Sequence, residues 1–164
     1  MVTIRINFKE RSKMKTLLKI TGGLSIAALA VVIQPLSQAQ MFPKAPSGCV
    51  YLREVITGRT EIRKVVAANN SNANTDFAVP TGTRFTNYNA KFIPENNTRF
   101  NVEVNLRNSD NSTSRVVSRG IDARRFYLYN QPFRTPTDKQ PFQINTRVTA
   151  GRNNAYRIAV LACQ

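Results

Sequence analysis

The sequence predicts an all-β fold: a single β-sandwich of immunoglobulin-like architecture with seven to nine short strands, or a small barrel, behind an N-terminal signal helix. Three observations predict it. Residues 99–107 alternate strictly, with Phe100, Val102, Val104 and Leu106 between polar neighbours, as in a strand with one apolar and one wet face. Other apolar or aromatic runs recur roughly every ten residues between clusters of Gly, Pro, Asn and Ser. Beyond residue 39 no segment carries a convincing helical period.

The chain opens on an address. Met14, Lys15 and Lys19 form a basic start, and residues 20–33 contain no charge. Pro35 stops that run, and Ser37 and Ala39 are small residues placed for cleavage after Ala39. The apolar run is shorter than the about 20 residues a membrane span needs. Residues 1–39 therefore read as a signal peptide, with Met14 a candidate true start. A paired arginine for twin-arginine export is missing, and Cys49 lies too far behind the run for a lipoprotein. The expected location is the cell envelope, periplasm or exterior.

Residues 40–48 hold two prolines and a glycine and read as an extended lead-in to a domain at 49–164. Residues 49–56 and 60–67 flank a turn at Gly58 and predict a hairpin. Residues 69–75 form a polar loop too hydrophilic to bury. Short strands are expected at 77–79, 83–85 and 91–93, then at 99–107 and 115–118. A strand is expected at 126–129 and a proline-rich loop at 131–141. Residues 142–148 alternate again, and 156–163 form the last strand.

Two cysteines remain after the leader, Cys49 and Cys163, and in an exported chain they predict one disulfide joining first and last strands. No histidine occurs, which excludes Ser-His-Asp and Cys-His catalysis and the commonest metal ligand. Eight acidic residues follow the leader, with no spacing that singles out a glycosidase pair. Glu103, on the wet face of 99–107, suits ion pairing. Asp110 belongs to a turn and lacks the repeated acidic ligands of a calcium loop. The sequons at Asn69, Asn96 and Asn111 follow from an Asn-rich composition. No catalytic residue, cofactor or metal site is expected.

Charge points to a partner class. Of the 24 Lys and Arg, six lie in residues 1–39 with one of the nine acids, so cleavage lowers the net charge from +15 to +10. The remainder is mostly arginine, whose planar fork suits carboxylate, sulfate and phosphate. Residues 124–129 interleave arginine with aromatics. Read as a strand, they put Arg125, Tyr127 and Tyr129 on one face, a candidate surface for a sugar chain with anionic groups. The expected function is a non-enzymatic binding or structural module for an anionic polysaccharide, a lipid head group or an envelope protein. Export argues against nucleic acid. The alternatives are an assembly subunit offering an edge strand, and a carboxylate-based hydrolase.

Overall fold

Alternation in 99–107 sets the plan of the molecule, because a strand wet on one face needs a second layer on the other. A computed structural model describes residues 42–136 and 139–164. The expected leader, with its candidate start at Met14 and expected cleavage after Ala39, lies outside these residues. The described chain forms strands β1 (Cys49–Tyr51), β2 (Arg53–Glu54), β3 (Ile62–Val65), β4 (Asn74–Ala78), β5 (Asn87–Pro94), β6 (Thr98–Arg107), β7 (Thr113–Ala123), β8 (Tyr129–Phe133), β9 (Gln143–Thr149) and β10 (Ala155–Cys163).

They make two antiparallel sheets, and the fold is a sandwich. One sheet runs β1-β10-β5-β8, with β3 also on β10; the other runs β2-β4-β9-β6-β7. Phe100, Val102, Val104 and Leu106 of β6 are buried, as the alternation requires, and meet Tyr88, Ala90 and Phe92 of β5 in one core. Ile144 and Val148 of β9 join it, and so do Tyr156, Ile158 and Val160 of β10. Rings bridge the layers: Phe92 of one sheet lies 5.1 Å edge-on from Phe100 of the other, and Tyr156 packs on both.

The predicted hairpin at 49–67 does not form. β1 and β3 lie along the same edge of β10, at Leu161–Cys163 and Ala155–Ile158, while β2 pairs with β4 in the opposite sheet. The chain changes sheet at Leu52, whose side chain is buried and whose N–H donates to the Val160 carbonyl at 2.8 Å. Alternation reports which residues are inside and not which layer supplies the neighbour.

Other differences have local causes. Residues 83–85 are no strand; Phe85 N–H donates instead to Gln140 Oε1 at 2.8 Å. The polar segment 69–75 buries Ala73 and Thr75. Its asparagines make this tolerable by replacing backbone partners: Asn70 Oδ1 accepts from Ala150 N–H, Asn72 Oδ1 accepts from Ala67 N–H, and Asn72 Nδ2 donates to the Val65 carbonyl. The loop expected at 131–141 begins as β8, an edge strand that accommodates Pro132.

Cys49 and Cys163 form the expected disulfide, directly opposite each other on β1 and β10. It is an intra-sheet clasp. Before β1 the lead-in lies over the outer face of this sheet. Phe42 is buried there against Ile93 and Ala159, with Tyr51 and Leu128 beside them, and Tyr51 donates its hydroxyl proton to the Pro43 carbonyl at 2.7 Å.

Candidate functional site

The arginine–aromatic segment is not a strand. β7 ends at Ala123, the chain turns at 124–128, and β8 begins at Tyr129, crossing from one sheet to the other. Phe126 sits at φ 60°, a left-handed conformation that costs a non-glycine residue roughly 1–2 kcal/mol. Four hydrogen bonds over-determine the turn. Phe126 N–H donates to the Pro94 carbonyl at 2.7 Å and Tyr127 N–H to the Arg124 carbonyl at 3.1 Å. Arg124 N–H donates to the Tyr129 hydroxyl at 2.8 Å, and Arg125 N–H to Asn97 Oδ1 at 2.7 Å.

The side chains therefore group differently from the predicted stripe. Arg125 places its guanidinium 4.5 Å over the ring of Phe126. Tyr127 meets Tyr129 edge-on at 4.9 Å, and Tyr129 is half-buried against Phe92. Phe126, which a strand would place on the face opposite Arg125, Tyr127 and Tyr129, is 52% exposed and Tyr127 57%. Leu128 is partly buried, packed against the outer-face cluster of Phe42, Ile93 and Ala159. Phe126 belongs to the candidate surface, and no period-two signal could have found it, because the turn breaks the period.

The wide outer face of the β2-β4-β9-β6-β7 sheet is polar. Asn145 Nδ2 donates to Asp76 Oδ1 at 2.8 Å, linking β9 to β4. Glu103 pairs with Arg147 and Arg115 from the strands on either side, at 3.4 and 3.9 Å. These partners come from across the sheet and not from Arg99 or Arg107 on its own strand. On the other sheet Arg63 and Arg157 share Glu95, and Arg157 also holds Glu61 at 2.6 Å. Only five arginines, these four and Arg99, pair with a described carboxylate.

The described carboxylates are spoken for. Hydrogen bonds from Arg63 hold Glu95 below the ordinary range against its burial, with the charges of Arg63 and Arg157 adding to the effect. Burial pushes Glu54 up. Bonds from the Thr57 hydroxyl and N–H and from Ile56 N–H, with the charge of Lys64, outweigh that and hold it below 4.5. Asp110 caps its turn by accepting from Ser112. Among the described residues no three His, Cys, Asp or Glu side chains gather as a metal site would need.

Glu54 gives a pH prediction. Its native pKa is depressed, so its contribution is present above the unfolded value and disappears as pH falls through the native one. Glu54→Gln is expected to cost about 1–3 kcal/mol at pH 7. It should also flatten the fall of the urea midpoint below pH 4.5. Urea titrations of both proteins between pH 7 and 2.5 check this, and parallel curves would refute it.

No family model matches the chain, and no curated protein matches it. Among solved structures, a variant of a family 29 carbohydrate-binding module aligns with a TM-score of 0.44 at 10% identity, over 71% of this chain and 91% of that one. A further family 29 module gives 0.41 at 10% identity, over 70% and 88%. The N-terminal cellulose-binding domain of a Cellulomonas fimi β-1,4-glucanase gives 0.29 at 12% identity, over 63% and 86%.

Proposed function

We propose that this chain is an exported, non-catalytic binding module that holds an acidic polysaccharide on the turn between β7 and β8. The observation that carries the reading is the strained, fully pinned turn presenting Phe126 and Tyr127 half exposed beside Arg124 and Arg125. Pre-ordered rings lose little entropy on contact with sugar faces, and adjacent guanidinium groups recognise carboxylate or sulfate. A disulfide fits an oxidising compartment. The engagement of the described carboxylates, with downward shifts at Glu54 and Glu95, argues against a raised-pKa acid of the hydrolase type. No helix among the described residues is long and apolar enough to cross a membrane.

Strand addition is less favoured. β7 is a long edge, but Arg115 and Arg119 lie on it and a register shift opposite Val104/Asn105 interrupts it, both devices that discourage pairing.

Affinity electrophoresis in gels cast with polygalacturonate or with neutral glucan tests the proposal. Polygalacturonate should retard the protein and neutral glucan much less. Tyr127→Ala and Arg125→Gln should each weaken retardation, by roughly three- to tenfold. Equal retardation of both variants and the parent would sink the reading.

A further inference from the structure

We propose a second and separate oxyanion site at the opposite end of the sandwich, where Arg84 and Arg134 receive a carboxylate or sulfate group carried on a sugar residue. β5 runs between the two places: Asn87 at its start borders this site, and Pro94 at its end accepts the bond from Phe126. At about 3.3 Å per residue they lie roughly 23 Å apart.

The site is an open cavity of about 300 Å³ with Arg84 and Arg134 in its wall. Arg134 Nε donates to Asn87 Oδ1 at 2.8 Å, which fixes the plane of the guanidinium, and no described residue takes a hydrogen bond from its two terminal amino groups. Asn87 is itself held, since its Nδ2 donates to Thr86 Oγ1 at 2.8 Å. Neither arginine meets a described carboxylate. Gln140 also lines the cavity, and its side chain accepts from Phe85 N–H at 2.8 Å and donates to the Pro80 carbonyl at 3.1 Å.

The Thr86 side of the cavity is tied into the sheet. Thr86 N–H donates to the Cys163 carbonyl at 2.9 Å, so the rim is tied to the disulfide-bearing strand. A second open cavity of about 290 Å³ shares Asn87 and Arg134 and is lined further by Tyr88, Pro132 and Phe133. Charged donors on one side and apolar surface on the other suit a pyranose ring bearing an anionic group. A free inorganic anion would use only the first cavity. Pre-ordered donors spare the ligand the cost of fixing two long side chains.

The test is an NMR titration of the isotope-labelled protein with trigalacturonate, with a sulfated galactose trisaccharide, and with maltotriose as the neutral probe. Saturable shifts are expected at the side-chain amides of Asn87 and Gln140 and at Arg134 Nε–H with at least one acidic probe, and not with maltotriose. The probe that saturates decides between carboxylate and sulfate. The pair Arg84→Gln with Arg134→Gln should weaken binding at these signals roughly tenfold or more. Among the described residues the Arg84 side chain has no hydrogen-bond partner, so Arg84→Gln alone keeps the fold and should give a smaller loss. The shifts should persist in Tyr127→Ala, which separates this site from the β7–β8 turn. An equal loss on neutralising Arg59 and Arg119 would overturn the proposal by reducing it to net charge. Equal shifts with maltotriose, or shifts that never saturate, would overturn it as well.

Discussion

Replacing Cys49 and Cys163 together by serine is expected to lower the unfolding free energy by about 4 kcal/mol. The bond spans a sequence separation of 114 residues, so in the chain-entropy view its loss frees almost the whole unfolded chain. There is a native-state part too. β1 has three residues and among the described residues pairs only with β10, too short a ladder to hold an edge by itself. Without the clasp the lead-in should loosen first, uncovering Ile93 and Ala159 as Phe42 leaves. Equilibrium urea unfolding of the parent and the double variant measures the change. A loss under 1 kcal/mol would show that the ladder and the Phe42 contacts suffice without the bond.

Phe92→Ala is expected to cost about 3–5 kcal/mol, a large share of the stability of a domain this size. Phe92 is fully buried, at the point where rings from both sheets converge. Phe100→Ala should cost a similar amount, since Phe100 is equally buried and touches the same Tyr156. The two should part in their effect on binding. Of the two, Phe92 is the one in ring contact with Tyr129, which in turn meets Tyr127 and accepts the hydrogen bond from Arg124. Below its melting temperature, Phe92→Ala should therefore weaken polygalacturonate retardation more than Phe100→Ala does. Urea unfolding with gel retardation reads both effects. Equal retardation of the two variants would uncouple the surface turn from the core.

The sequence was most legible where one strand face is wet. β6 and β9 could be placed because their polar and apolar residues take turns, and the buried set Phe100, Val102, Val104, Leu106 and Ile144 follows directly. Cys49 and Cys163 were legible because two cysteines leave one intrachain pairing. Residues 49–67 were not, since β1, β2 and β3 have two to four residues each and find partners far along the chain. At 124–129 four consecutive bulky residues imitate a strand. What makes them a turn is Phe126 in a left-handed conformation, stabilised by Pro94 and Asn97, some thirty residues earlier in the chain. A short window cannot see those partners. The cavity between Arg84 and Arg134 was invisible for the same reason, because its walls are contiguous only after β5 and β8 pair.

The position of the clasp has a mechanical consequence. Cys49 and Cys163 stand one residue inside Gly48 and Gln164, and Gln164 N–H donates to the Gly48 carbonyl at 3.1 Å. Tension applied through the chain on either side would pass from Gly48 to Gln164 across a single covalent link. The sheets between would lie outside the force path, and their ladders would carry no load. Reduced, the same domain would be a spring with a stretch of chain over 100 residues long to pay out, on the order of 350 Å when extended.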